Sequence, residues 1–237
     1  VKWHDGQPFS AADVKASFDR ILNPDFQSPK CGASLKPMVA AVEMVDANTV
    51  QFRLKFPAAP FLPSLASAWC RVAAKHILAK YGDLNQPEAQ IGTGPFKFKK
   101  YERGSVIEWE KNPNYFIPGL PYLDGVKQFI LVGGPTQVAA AKAGKIMLWD
   151  FWPPMRKTQA DELARARQDV DIYQGSINTI FLVYLNSKKP PFDNPDLRRA
   201  VNLAIDRQEF VAKALEGAGV PCALLDPKLL GDFALPL

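Results

Sequence analysis

The alternation of apolar and polar positions predicts short helices and antiparallel hairpins in the first half of the chain. A helix is expected to begin after Ser10, which fits an N-cap with Asp13 three residues later, and to end at Pro24. Strict alternation predicts one hairpin within residues 42–54 and a second over residues 96–110. Two further short helices are expected between the hairpins, over residues 61–68 and 74–81.

After the second hairpin, the pattern changes to strands alternating with helices, which predicts βαβ crossovers in an α/β domain. A nearly continuous apolar run, residues 177–185, predicts a strand buried on both faces. Asn194 followed by Pro195 predicts the start of a regular helix, and residues 207–216 predict another that ends at Gly217. The remaining elements are strands over 126–132, 146–151 and 170–173, and helices over 135–143 and 155–167.

Composition narrows the class of protein. The 237 residues are 47% hydrophobic and 22% charged, which is typical of globular proteins of one large or two small domains. The net charge of +5 is spread along the chain rather than gathered in a basic tract, so we do not expect a nucleic-acid partner. The chain has no stretch of about 18 uninterrupted apolar residues, so the sequence predicts no transmembrane helix.

Signatures of catalysis are weak. Gly92 and Gly94 stand in a short glycine turn that lacks the third glycine and the Lys-Ser/Thr of phosphate-binding loops and precedes a strand rather than a helix. The chain has no GxSxG nucleophile elbow, and its two histidines, His4 and His76, stand outside any metal-ligand spacing. We therefore expect no catalytic residues, no metal and no cofactor, although paired carboxylates leave an α/β enzyme as an alternative.

An aromatic cluster is the strongest candidate for recognition. Residues 147–154 place Trp149, Phe151 and Trp152 around Asp150 at the end of a predicted strand. Open α/β sheets bind ligands at the carboxyl ends of their strands, where aromatic rings supply contact area and a carboxylate pairs with an amine. The alternative is that these rings belong to the core.

Four collinear segments resemble the peptide/nickel (family 5) extracellular solute-binding proteins of ABC importers. Residues 1–14 resemble the family's V-K-F-H-D-G-x-P-F-T-A-E-D-V signature. Residues 92–96 with 107–115 are similar to G-T-G-P-Y followed by L-E-R-N-P-x-Y, and residues 189–207 match K-P-P-F-D-D-x-R-V-R-Q-A with A-I-D-R. Residues 142–146 resemble L-x-A-G-E-I-D, but Lys145 and Met147 replace its two acids.

This resemblance implies an α/β fold of the periplasmic-binding-protein-like class II type, two-lobed with an extra small lobe and here incomplete. The chain would be a central part of a longer protein. Residues 1–91 would form the small variable lobe, residues 92–185 part of lobe one ending at the hinge strand, and residues 186–237 the start of lobe two.

The resemblance also implies a function without catalysis. A small solute, above all a peptide, would be captured in an interlobe cleft and delivered to a membrane permease of an ABC importer, by a monomer in the periplasm or outside the cell, with a lipid anchor as an option. The alternatives are an oligosaccharide or other non-peptide solute, an enzyme, and a receptor-signalling module. The candidate ligand-binding residues are Ser28, Lys30, Cys31, Trp149, Asp150, Trp152, Phe181, Tyr184 and Asn186.

The three cysteines leave one question open. Cys31 and Cys70 both fall in the expected small lobe, and an oxidising compartment permits a disulfide between them. The sequence does not give the distance between their Cα atoms, so both the paired and the free state remain possible.

Overall fold

A computed structural model describes residues 1–149, 155–173, 175 and 181–221. The chain divides into two compact units, Val1–Ile130 and Leu131–Leu237. Each unit has its own helices, and the strands described below lie in the first. The three-lobe division drawn from the sequence concerns the longer protein and stays a prediction.

The first helix begins and ends where the sequence predicts. Helix α1 (Ala11–Leu22) follows Ser10, whose backbone N–H donates a hydrogen bond of 2.9 Å to the Asp13 carboxylate, as in a capping box. The helix ends at Asn23, before Pro24. It buries Phe18 and Ile21 against the rest of the unit, because these residues recur on one face at helical spacing.

The first hairpin covers this face of α1. Strands β1 (Val39–Met44) and β2 (Val50–Leu54) pair antiparallel with Val42 opposite Phe52, which confirms the predicted hairpin. The Phe52 ring meets Phe18 edge to face, with 5.0 Å between centroids. Helices α2 (Cys31–Leu35) and α3 (Phe61–Leu65) close the same core, in which Leu35 is fully buried.

A second, smaller core lies beside the first. Trp3 from the N-terminal segment packs with Ala74 and Ile77, the latter in helix α4 (Lys75–Tyr81), and a 3₁₀ turn (Pro87–Ala89) completes the cluster. Helix α4 ends at Gly82, whose φ of 72° favours glycine, as the sequence predicts.

The remaining strands of the first unit form one antiparallel sheet. Strands β3 (Phe96–Glu102) and β4 (Val106–Lys111) make the second predicted hairpin. Strand β5 (Gly125–Phe129) confirms the strand expected near residue 126, but it pairs antiparallel with β4. The loop of residues 112–124 returns the chain beside β4 in the opposite direction. The parallel βαβ crossover expected from this strand leads toward residues 146–151, which lie partly outside the described residues, so it stays a prediction.

The second unit is helical where it is described. Helices α5 (Gly134–Lys142) and α6 (Lys157–Ala166) match the predicted helices and bury Val138, Ala141 and Leu163. Helix α7 (Pro195–Ala204) begins at Asn194, whose side chain accepts a 2.8 Å hydrogen bond from the N–H of Asp196. Helix α8 (Arg207–Glu209) continues as a π-helical turn (Phe210–Ala214), and Gly217 follows it.

Three strands predicted in this unit are not formed in its described part. Residues 146–149, 170–173 and 181–185 have no strand partner there, and Phe181, Val183 and Tyr184 are exposed rather than buried on two faces. The rest of the segments expected over 146–151 and 177–185 lies outside the described residues. A run of apolar residues indicates that the segment tends to be buried. A strand forms only where a neighbouring strand accepts and donates its backbone hydrogen bonds.

Within the described ranges, no helix has both the length and the apolar character needed to cross a membrane.

Candidate functional site

The loop between α1 and α2 carries two of the predicted ligand-binding residues, Ser28 and Lys30, and a third, Cys31, begins α2. Ser28 has a structural role there. Its Oγ accepts a hydrogen bond of 3.0 Å from the N–H of Gly32, and its carbonyl accepts one from Ala33. A Cβ at position 32 would lie 2.7 Å from the Ser28 Cβ and 3.0 Å from the Ile21 carbonyl, so only glycine fits. Ser28 therefore fixes how the chain enters α2.

Cys31 is joined to Cys70 by a disulfide, with 5.1 Å between the Cα atoms. The structure thus settles the pairing that the sequence left open. Both residues are buried, Cys31 with 2% of its surface exposed, so the Cys31 sulfur is withdrawn from direct contact with a solute. The bond ties the first residue of α2 to the segment between α3 and α4, 39 residues away in the chain.

Lys30 lies next to this disulfide and faces an aromatic ring. Its Nζ is 5.6 Å from the centroid of the Trp69 ring, which is 64% exposed. Sequence reasoning missed Trp69; the available signal was its place next to Cys70, which has meaning only once the disulfide is known. We call Lys30 and Trp69 the cation–indole platform.

The loop that carries Lys30 is fixed at its other end by a second lysine. Lys36 Nζ donates hydrogen bonds to the carbonyls of Asn23 and Phe26, at 2.8 and 3.1 Å. The Arg20 guanidinium lies 4.2 Å from the centroid of the Phe26 ring. These contacts hold the backbone of residues 23–26 by its carbonyl groups, so the loop is ordered on both sides of Lys30.

The cation–indole platform carries a positive charge that is not paired with an acidic side chain among the described residues. In the part of the chain that the structure describes, no carboxylate oxygen lies within 4.0 Å of Lys30 Nζ. Arg71, two residues beyond Trp69, is exposed and donates to the Ala68 carbonyl at 2.8 Å. No three histidine, cysteine or acidic side chains among the described residues are placed to share a metal ion.

Most of the other predicted ligand-binding residues belong to the second unit. Trp149 is half-buried at the edge of a described range, and Asp150 and Trp152 lie outside the described residues. Phe181 and Tyr184 are 69% and 87% exposed, and the Phe181 ring lies 6.0 Å from that of Phe210. None of these positions is tested as a ligand contact, so each remains a prediction.

Asn186 has a local partner in the structure. Its Oδ1 accepts a hydrogen bond of 3.1 Å from the N–H of Lys188, and its carbonyl accepts one from Lys189. This is an Asx turn, in which the side chain shapes the backbone that follows it. For a ligand contact, Asn186 has its amide N–H groups and the second lone pair of Oδ1.

The chain matches a known protein family over nearly its whole length. Residues 1–233 match the family described as bacterial extracellular solute-binding proteins, family 5 Middle. The chain belongs to this family. The resemblance drawn from four short motifs is thereby confirmed over nearly the whole chain.

Two named relatives illustrate the match. The chain is 32% identical over 228 residues to the glutathione-binding protein GsiB of Salmonella typhi, and 30% identical over 227 residues to GsiB of Escherichia coli K12. These alignments cover 96% of the chain but 43% of each relative. The chain therefore spans less than half the length of these family members.

Solved structures of family members share the fold. The chain superimposes on AgaA of A. tumefaciens R10, in complex with agropinic acid, with a TM-score of 0.78 and 30% identity. It superimposes on the oligopeptide-binding protein AppA of Bacillus subtilis, in complex with a nonapeptide, with a TM-score of 0.75 and 27% identity. Both matches cover 94% of the chain and 44% of the other protein, and they confirm the predicted two-lobed α/β binding-protein class.

Proposed function

We propose that the protein is the solute-capturing component of an ABC importer and that its solute is a small peptide. The observation that carries the proposal is the continuous family match over residues 1–233. The names of the similar proteins add to it, since GsiB binds glutathione, a tripeptide, and AppA is in complex with a nonapeptide. The captured solute would then pass to a membrane permease.

The proposed action is capture without bond-making. A binding protein gains its effect by holding solute in a closed state of the lobes, and a ligand shifts this equilibrium by its differential affinity for the two states. The proposal includes action as a monomer outside the cytoplasmic membrane, in the periplasm or extracellular space, with no nucleic-acid partner and no enzymatic activity. The division into lobes at residues 91 and 185 belongs to this proposal.

The test is solute binding by the full-length protein. Native mass spectrometry of the purified protein should show a bound peptide mass, and calorimetry after unfolding and refolding should show saturable binding of glutathione or trialanine. Absence of a bound peptide mass, together with no heat of binding for either peptide, would overturn the peptide proposal.

A second candidate solute is supported by one observation. AgaA, at 30% identity and a TM-score of 0.78, is in complex with agropinic acid, which is not a peptide. The oligosaccharide alternative belongs to the same class of non-peptide solutes. Calorimetric titration with agropinic acid and with maltotriose separates these candidates, because a peptide carrier should give no saturable heat with either compound.

A further inference from the structure

We infer that the cation–indole platform, Lys30 over Trp69, is a carboxylate-binding subsite and that the Cys31–Cys70 disulfide is its positioning element. The inference rests on the proposed capture of a peptide, whose carboxylate would be the group recognised. It assigns the subsite to side chains of the first unit alone.

The covalent geometry places the two halves of the platform together. Lys30 precedes Cys31 and Trp69 precedes Cys70, and the disulfide holds the Cα atoms of the two cysteines 5.1 Å apart. Because each platform residue is one peptide bond from a cross-linked cysteine, its backbone has little freedom to move away. Within this arrangement the Lys30 ammonium lies 5.6 Å from the centroid of the Trp69 ring.

The charge of Lys30 is available for an anion. The indole face attracts the ammonium through its quadrupole, but it neither cancels the charge nor uses all three N–H donors. Among the described residues no carboxylate lies within 4.0 Å of Lys30 Nζ, whereas lysines such as Lys15 and Lys127 form ion pairs with acidic neighbours. A carboxylate of the solute would therefore meet an oriented cation beside an exposed apolar surface.

The loop is ordered before a ligand arrives, which raises the affinity that a single charge can provide. Lys36 holds the carbonyls of Asn23 and Phe26, Ser28 caps the N–H of Gly32, and the disulfide holds position 31. A preordered loop avoids much of the entropy cost of fixing side chains on binding.

The chain supplies a matched control. Lys80 Nζ lies 4.9 Å from the centroid of the Tyr81 ring, so it is also an exposed lysine beside an aromatic side chain of the first unit. Its partner is its neighbour in the sequence, and no disulfide holds the pair. A general effect of removing one surface charge should therefore appear equally in the Lys30→Met and Lys80→Met variants.

The first experiment measures the anion attraction without any solute. The experiment uses the full-length protein and measures how iodide and neutral acrylamide quench the fluorescence of Trp69. The Trp69 signal is obtained by subtracting the fluorescence of the Trp69→Phe variant from that of the protein under test. Lys30→Met should reduce the iodide quenching constant of Trp69 about twofold and leave the acrylamide constant unchanged, because one unit charge near the ring raises the local anion concentration. Lys30→Arg and Lys80→Met should retain iodide quenching. Equal iodide constants for wild type and Lys30→Met would overturn the inference.

The second experiment tests whether Lys30 recognises a carboxylate of the solute. By calorimetry, Lys30→Met should weaken the binding of glutathione about tenfold or more, since a charge-assisted hydrogen bond contributes about that factor. It should leave unchanged the affinity for glutathione diethyl ester, whose carboxylates are blocked, and Lys30→Arg should restore most of the loss. An equal loss for both compounds overturns the subsite. Failure of the wild type to bind any peptide overturns the proposed function instead, and the iodide measurement still decides the platform.

The positioning role of the disulfide has its own readout. The Cys31→Ala/Cys70→Ala variant, with its folded state verified by circular dichroism, should lose the Lys30-dependent part of iodide quenching. If the double variant stays folded and quenches like the wild type, the disulfide does not position the platform.

Discussion

The carboxylate of Asp13 accepts a hydrogen bond of 2.8 Å from the backbone N–H of Lys75, the first residue of α4. Its other oxygen accepts the N–H of Ser10 at the start of α1, at 2.9 Å. One buried side chain, with 5% of its surface exposed, thus satisfies donors at the beginnings of two helices, the second of them 62 residues further along the chain than Asp13.

Replacing Asp13 by Ala should lower the free energy of unfolding by about 2 kcal/mol, because it leaves two partly buried N–H groups without an acceptor. Urea unfolding followed by circular dichroism measures the loss. Asp19→Ala on the exposed face of α1 is the matched control and should cost no more than about 0.5 kcal/mol, since Asp19 only pairs with Lys15 one turn away. Similar losses in the two variants would contradict the double-capping role of Asp13.

The Cys31–Cys70 disulfide should contribute about 4 kcal/mol to stability. Its 39-residue separation removes that much chain entropy from the unfolded state in the loop-closure account. We expect the Cys31→Ala/Cys70→Ala variant to unfold at a lower urea concentration than the wild type, and to be insensitive to dithiothreitol. A wild type whose unfolding midpoint is also insensitive to dithiothreitol would show that this bond does not support the fold.

His4 should be a neutral ring with its hydrogen on Nε2. The N–H of Gly92 donates to Nδ1 at 3.2 Å, so Nδ1 must be an acceptor, and Nε2 lies 3.0 Å from the carbonyl of Gly94 and must donate. The ¹⁵N chemical shifts of the ring at pH 7 report this tautomer directly. The His76→Gln variant identifies which signals belong to His4, and a hydrogen on Nδ1 would rule out the assignment.

Asp5 should make part of the stability sensitive to acid. Burial acts to raise the pKa of Asp5, but the hydrogen bond to His76, whose Nε2 lies 2.6 Å from Oδ2, and the one donated by the N–H of Gln7 outweigh it together with the charge of His76 and lower the pKa below 3.8. Because the folded-state pKa is lower than the unfolded one, the stabilisation is present above about pH 4 and is lost as the pH falls through the lowered value.

The Asp5→Asn variant tests this dependence. It should be less stable than the wild type by at most about 1 kcal/mol at pH 7, since the pair is partly exposed. The difference should shrink as the pH falls below 3.8, and urea titrations at pH 7 and pH 3 measure it. A difference that is unchanged at pH 3 would exclude ionisation of Asp5 as its source.

Local sequence signals predicted the helices and strands whose hydrogen-bond partners lie nearby in the sequence. The Ser10–Asp13 pair marked α1, Asn194 and Pro195 marked α7, and strict alternation marked the β1–β2 hairpin. Each has its partners within a few residues or across a tight turn, so sequence pattern alone carries the necessary information. The strand expected over 170–173, and residues 181–185 of the strand expected over 177–185, have no partner strand among the described residues. A strand needs a neighbour, and periodicity does not indicate which segment that neighbour is.

The candidate site shows the same limit. Lys30 was predicted because the family resemblance implied a ligand-facing position there, whereas Trp69 was missed because 39 residues of chain separate it from Lys30. Ser28 and Asn186 were predicted as ligand contacts, and these predictions stay untested. Their side chains also hold local turns, which depend on the backbone around them and which the sequence analysis did not predict.

The sequence by itself determined the caps of α1 and α7, the end of α4 at Gly82, both hairpins of the first unit and the family of the chain, because capping, alternation and motif order are local properties. The tertiary structure alone decided that Cys31 meets Cys70, that Lys30 lies over Trp69 and that β5 runs antiparallel to β4. These are contacts between distant segments. Their partners are chosen by chain closure and packing, which no window of neighbouring residues contains.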